Sequence, residues 1–282
     1  MPKQCCRVNR PSVYMHVRAD SASEVCDELP YGTPLMPLAP PVPAKNGGGC
    51  YVRCETDYGY SGYVHEKYMI SDSDEASDPI YRFRVTAPFC DLLADSVYRY
   101  RPILTVPRGS VLLSRKEHLG TDRFFPVTAQ NRTYFVPTAA LRPFCVRDNL
   151  CECSEDAEAL RKQICDDALF YLGTPYRWGG RTPAGIDCSG LCFTAYALNG
   201  IRIWRDAFAD TRYVHEIGAE QLLPGDLIYF NGHVALYIGD GEYVHSSASA
   251  GGVTVNSLTR GSIIYREDLA KSVVCYARSN LL

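Results

Sequence analysis

No stretch of the 282 residues is apolar for long enough to span a bilayer, and the opening Met1-Pro-Lys-Gln-Cys-Cys6 lacks the apolar centre of a secretion signal. No membrane partner is therefore expected, and the expected location is the cytoplasm. An excess of charge is also missing: 29 Lys and Arg stand against 32 Asp and Glu, a formal net charge of -3, so nothing suggests a nucleic-acid groove. The thirteen cysteines are odd in number and irregularly spaced in a chain of this size, which argues against a disulfide framework. Cys145, Cys151, Cys153 and Cys165 invite a zinc reading, but paired CxxC knuckles are absent and no metal site is expected. Reduced thiols fit better.

One of those thiols stands apart. In Gly180-Arg-Thr-Pro-Ala-Gly-Ile-Asp187-Cys188-Ser189-Gly190-Leu191, Asp187 is a good helix N-cap. The apolar positions Leu191, Cys192, Ala195, Tyr196 and Leu198 then recur with helical spacing until Gly200 offers a stop. Cys188 is thus placed at the first turn of a buried helix, where unpaired N–H groups and the positive dipole end favour a thiolate. Position alone leaves a buried core thiol as an equal reading.

Downstream, Leu223-Pro224-Gly225-Asp226-Leu227-Ile228-Tyr229-Phe230 reads as a turn into a strand. Gly232-His233 to Gly239 reads as a second strand, Asp240-Gly241 as a hairpin turn, and Glu242-Tyr243-Val244-His245-Ser246 as the return strand. Folding at residues 240 and 241 brings His233 and His245 close together. A thiol nucleophile needs a base, and the base needs a third group to fix its tautomer. All three are present.

The successive blocks Tyr176-Arg-Trp178-Gly-Gly, Asp187-Cys188-Ser189-Gly190, Pro224-Gly225-Asp226-Leu227 and Gly232-His233-Val234-Ala235-Leu236-Tyr237-Ile238-Gly239 resemble those of the NlpC/P60 cysteine peptidases. The resemblance runs from about residue 155 to the end of the sequence. It implies a papain-like α+β domain over residues 150–282, a Cys-bearing helix packed on an antiparallel sheet; ahead of it, the spacing of Leu160, Ile164, Ala168 and Tyr171 or Leu172 predicts a helix from about Glu155 to Leu172, ended by Gly173. It also implies roles: Cys188 attacks a carbonyl, His233 takes the thiol proton and later passes it to the leaving amine, and His245 orients His233. Backbone N–H groups at the helix start stabilise the oxyanion, and no cofactor is required.

The N-terminal half carries short strand-like pieces punctuated by Gly and Pro. Val17-Arg18-Ala19-Asp20, Leu29-Pro30-Tyr31-Gly32 and Gly62-Tyr63-Val64-His65-Glu66-Lys67-Tyr68-Met69 resemble the order of a bacterial SH3 (SH3b) domain, with Pro40 to Gly49 inserted as a loop. A weaker repeat follows an acidic linker at Ser71 to Pro79, with Tyr134-Phe135-Val136 standing where Gly62-Tyr63-Val64 stood. Two SH3b-like β-barrels are thus expected, over residues 1–72 and 80–145.

Two SH3b-like domains ahead of an NlpC/P60 domain are similar to the γ-D-glutamyl-L-diamino acid endopeptidases that trim peptidoglycan stem peptides in recycling. The implied substrate is an L-Ala-γ-D-Glu-diamino acid peptide with a free N-terminus, cut after D-Glu. The implied substrate-binding residues are Tyr176, Asp187, Ser189 and Asp206 of the catalytic part, and Glu24 and Tyr68 of the first SH3b-like domain, with Glu24 facing the ammonium group. Ala207 stands where the block beginning Arg205-Asp206 often carries a small polar residue. Two other readings fit less well: a lytic hydrolase that uses its SH3b domains to hold intact wall, and a non-catalytic wall-binding protein.

Overall fold

The computed structural model describes residues 5–45, 47–71, 81–96, 102–129, 132–144, 146–147 and 154–282. The chain divides into two compact units, Met1–Phe144 and Cys145–Leu282. The acidic segment after Ser71 lies outside the described residues, as do Cys145, Cys151 and Cys153.

The first unit is built from antiparallel sheets. One runs in the order Val25–Pro30, Ser12–His16, Ser61–His65, Cys50–Thr56, Pro34–Pro37, Cys6–Val8, Met69–Ser71. In Cys50–Thr56, Val52, Cys54 and Thr56 point inward while Arg53 and Glu55 point to solvent, the period of two that a half-buried strand requires. Val13, Met15, Leu29, Leu35 and Val64 complete that core. The expected loop at Pro40 to Gly49 instead contains a short exposed strand, Val42–Pro43, paired with Cys50 and Tyr51.

A second sheet runs Arg132–Pro137, Phe124–Ala129, Val111–Ser114, Tyr81–Val85, Leu141–Pro143, around a separate core that includes Phe83, Leu112, Phe125 and Val136. The same local pattern closes both. Ser61–His65 leads through one 3-10 turn, Glu66–Tyr68, into Met69–Ser71, which pairs with the first strand, Cys6–Val8. Arg132–Pro137 leads through Thr138–Ala140 into Leu141–Pro143, which pairs with Tyr81–Val85. Among the described residues each sheet is an open path, whereas the strand pattern suggested barrels; short strands and turn residues report curvature but not closure.

The two sheets meet at Tyr31-Gly32. The Val111 N–H donates to the Tyr31 carbonyl at 2.8 Å. Gly32 has φ +76, and a Cβ there would lie 2.0 Å from the Val111 carbonyl oxygen. Only glycine fits both conditions.

The second unit mixes helix and sheet. Helices α1 (Ser154–Leu169) and α2 (Cys188–Leu198) pack together, and α2 lies on strands His233–Gly239 and Glu242–Ser247. α1 ends a turn sooner than its apolar spacing suggests: the Leu172 N–H already bonds the Leu169 carbonyl in a tighter turn, which leads to Gly173 at φ +80. The six-stranded antiparallel sheet has the order Val214–Ile217, Val273–Ser279, Leu227–Phe230, His233–Gly239, Glu242–Ser247, Gly252–Ser257. The expected hairpin is present, with φ of +52 at Asp240 and +77 at Gly241.

Buried Asp226 binds the frame together. Its carboxylate accepts from Arg161 of α1 at 2.8 Å, and from the Arg278 Nε and Nη2 of the last strand at 3.0 and 2.7 Å. Among the described residues no helix is long and apolar enough to cross a membrane.

Candidate active site

Cys188 opens α2 and is 7% exposed. Asp187 caps the helix from an extended backbone (φ -93, ψ 179), its Oδ1 accepting the Gly190 N–H at 2.5 Å. Oδ2 accepts the Gly179 N–H at 2.8 Å. Gly190 is required by close packing: a Cβ there would sit 2.3 Å from the Gly180 carbonyl oxygen. Arg205 is 1% exposed and grips both neighbours of the thiol. Its Nη1 and Nη2 donate to the two Asp187 oxygens at 3.1 and 3.0 Å, and Nη1 also donates to Ser189 Oγ at 2.9 Å. This fork holds the start of the helix from both sides of the nucleophile candidate.

On the sheet side, His233 begins its strand opposite Phe230, and the backbone N–H of the next residue, Val234, lies near enough to the Cys188 sulfur to favour its thiolate. The two histidines meet as the hairpin suggested, with His233 Nε2 2.7 Å from His245 Nδ1. His245 is fully buried, and its Nε2 lies 2.9 Å from Asn256 Oδ1 on the neighbouring strand. Asn256 Nδ2 in turn donates to the Ile264 carbonyl at 3.0 Å.

Burial sets the protonation states. It pulls His233 down to about 4, helped by the charges of His245 and Arg266, and it lowers His245 as well. Burial also raises the Cys188 thiol, and the Asp187 charge adds to the effect. The N–H groups of Val234 and Ser189 and the charge of Arg205 pull the other way without prevailing. A helix start was expected to favour the thiolate; loss of solvent beside a carboxylate works against it and raises the thiol.

Tyr176 lies close by. Burial, followed by the nearness of Cys188 and Asp187, pushes its phenol up to about 12, and its N–H donates to the Gly251 carbonyl at 2.9 Å. Ser246 Oγ, buried, donates to the Ile186 carbonyl at 2.7 Å and ties the His245 strand to the segment ahead of the thiol. Asp206 follows Arg205, partly buried, with its carbonyl accepting the Phe208 N–H at 2.9 Å.

Glu24 and Tyr68 belong to the first unit. Glu24 is exposed in the turn between Ser12–His16 and Val25–Pro30. Tyr68 ends the 3-10 turn, with its ring 5.4 Å from that of His65. Among the described residues no three His, Cys, Asp or Glu side chains gather so as to hold a metal.

Residues 173–270 match the NlpC/P60 family, a span that includes Tyr176, Cys188, Arg205, His233, His245 and Asn256. Over 263 residues the chain is 34% identical to dipeptidyl-peptidase 6 of Lysinibacillus sphaericus, a match covering 92% of this chain and 93% of that protein. The chain belongs to the NlpC/P60 family. A second relative, the γ-D-glutamyl-L-lysine dipeptidyl-peptidase of Bacillus subtilis (strain 168), is 28% identical over 160 residues, 54% of this chain and 53% of its own length. The crystal structure of an NlpC/P60 family protein from Bacillus cereus ATCC 10987 superposes with a TM-score of 0.75 at 19% identity, covering 99% of this chain and 100% of that one. That likeness is one of fold, and it covers both units.

Sequence reasoning did not single out Asn256, and it saw Arg205 only as part of a block. The available signal for Asn256 was its place inside a strand, where asparagine is uncommon.

Proposed function

We propose that this chain is a cysteine endopeptidase that hydrolyses the γ-D-Glu–diamino acid bond of peptidoglycan stem peptides with a free N-terminal L-Ala. The observation that carries the reading is the thiol of Cys188 at a buried helix start, against a strand whose His233 is held by His245. His233 Nε2 is taken up by His245, so Nδ1 is the nitrogen left to receive the thiol proton. The Cys188 sulfur then adds to the scissile carbonyl, with backbone N–H groups at the helix start stabilising the oxyanion. His233 returns the proton to the departing amine, and water, deprotonated by the same ring, releases the acyl group.

The substrate assignment draws on the relatives, two of which are named as dipeptidyl-peptidases. Release of L-Ala-D-Glu is dipeptide release. In this reading residues 1–72 and 80–145 are SH3b-like domains ahead of a catalytic domain at 150–282, supported by the strand, 3-10 turn and strand pattern that recurs in the first unit. Glu24 and Tyr68 are assigned to the N-terminal ammonium group; Tyr176, Asp187, Ser189 and Asp206 to the substrate near the thiol. For Asp187 the contribution is indirect, because Arg205 and two backbone N–H groups already engage both carboxylate oxygens. The setting is the cytoplasm, where such peptides are recycled.

Mass-spectrometric product analysis tests the assignment, with L-Ala-γ-D-Glu-meso-diaminopimelate, its N-acetylated form and intact peptidoglycan as substrates. L-Ala-D-Glu from the free-amine peptide alone is the expected result. Cleavage of the blocked peptide or of intact wall would favour a lytic hydrolase, and absence of any cleavage a wall-binding protein.

A further inference from the structure

The hydrogen bonds beyond His245 determine where its protons sit. The Ile264 carbonyl can only accept, so the Asn256 atom 3.0 Å from it is the amide nitrogen. The other amide atom, Oδ1, is an acceptor and faces His245 Nε2 at 2.9 Å. Two acceptors do not bond, so Nε2 of His245 carries the hydrogen. A neutral imidazole has one such hydrogen, which leaves His245 Nδ1 bare. That bare nitrogen lies 2.7 Å from His233 Nε2, which therefore carries the hydrogen of the second ring. Nδ1 of His233 remains as a lone pair.

We propose that Asn256 is the positioning residue that sets the direction of this chain, holding His245 and, through it, His233 as Nε2–H tautomers. The inference rests on the reading of His233 as the base for Cys188. The anchor is well built: the Ile264 carbonyl also accepts the Ser257 N–H at 3.0 Å, so the loop that carries it is fixed by the backbone next to Asn256 itself. Asn256 pairs with Tyr243 and Thr254 with His245, so Asn256 reaches the ring diagonally from the adjacent strand. Both rings are buried enough to stay neutral at ordinary pH, the condition under which one fixed amide determines two tautomers. Without that amide, the alternative chain, with Nδ1–H on both rings, becomes available. It places a hydrogen on the His233 nitrogen that must be empty to receive the thiol proton.

The test is nitrogen NMR of the histidine rings in the full chain, with steady-state kinetics on L-Ala-γ-D-Glu-meso-diaminopimelate. In the wild-type chain both rings are expected as Nε2–H. In Asn256→Ala the Nδ1–H form should appear on both, with kcat falling on the order of a hundredfold and KM moving less than about threefold. Asn256→Asp keeps an acceptor for His245 Nε2–H but, when ionised, cannot donate to Ile264. It should retain the wild-type tautomers and recover most of kcat, whereas a residue needed only to brace the loop would be harmed as much by Asp as by Ala. Wild-type His245 protonated on Nδ1, or unchanged tautomers in Asn256→Ala, overturns the proposal. Failure of the wild-type chain to cleave the peptide removes the proposed function instead, and the ring nitrogens still decide the role of Asn256.

Discussion

Arg205→Ala tests whether the start of α2 depends on one guanidinium. The substitution deletes two bonds to Asp187, at 3.1 and 3.0 Å, and one to Ser189 at 2.9 Å. What remains is a carboxylate whose side chain is 9% exposed, with no counter-ion of its own. Removing one member of a buried pair costs about 3–5 kcal/mol, chiefly through the charge left behind. At roughly 2–4 °C per kcal/mol for a chain of this size, the melting transition of the second unit should fall by about 6–20 °C in scanning calorimetry. Adding Asp187→Asn removes the stranded charge and keeps an amide oxygen for the Gly190 N–H, since Asn caps helices about as well as Asp; it gives up the neutral bond from the Gly179 N–H, about 1 kcal/mol, less than the buried charge costs. The double variant should therefore be more stable than Arg205→Ala alone while the truncated site still lowers kcat. A melting point within about 2 °C of wild type for Arg205→Ala, or a double variant less stable than the single one, would refute the reasoning.

Five further outcomes are expected. Cys188→Ala should abolish peptide hydrolysis with the calorimetric transition retained, and residual turnover by purified variant would remove the thiol from the mechanism. The base must be neutral to work, and His233 is pulled down to about 4, so kcat/KM should hold as pH falls through the usual histidine range and drop only on approaching pH 4; a half-loss near neutral pH contradicts this. Over the same window the unfolded chain takes up the proton that folded His233 refuses, so stability to urea should decline as pH falls from the ordinary histidine value toward 4. Alkylation of Cys188 by iodoacetamide should accelerate as pH rises through and beyond the ordinary thiol range, because burial raises the thiol; a rate already flat from about pH 5 would indicate a standing thiolate. For the first unit, Gly32→Ala should lower the melting point well beyond Gly47→Ala: both have a left-handed backbone, φ +76 and +75, but only Gly32 has a carbonyl where the new methyl must go.

The parts of the site that sequence made legible are those whose causes are local. An Asp cap followed by helical apolar spacing places Cys188 without knowledge of the rest of the fold, and an Asp-Gly turn between two strands brings His233 to His245. The parts that escaped depend on groups distant along the chain. Arg205 reaches across to Asp187 from a loop, fully buried, in a residue type that sequence statistics place at the surface. Asn256 has its meaning only through the Ile264 carbonyl, and a backbone carbonyl leaves no mark in the sequence. The balance at the thiol divides in the same way: the dipole at a helix start follows from local pattern, whereas the loss of solvent around Cys188 comes from the sheet packed against it.

The place of Val273–Ser279 bears on how the molecule is made. This strand lies between Val214–Ile217 and Leu227–Phe230, and its Arg278 completes the bonds to Asp226. On the ribosome, Cys188, His233 and His245 therefore all emerge before the strand that joins the two parts of their sheet. A nascent chain stalled short of Val273 carries each of those side chains but lacks the strand that pairs with Leu227–Phe230, the neighbour of the His233 strand. The order of synthesis thus delays the assembled thiol and imidazole until the second unit can close.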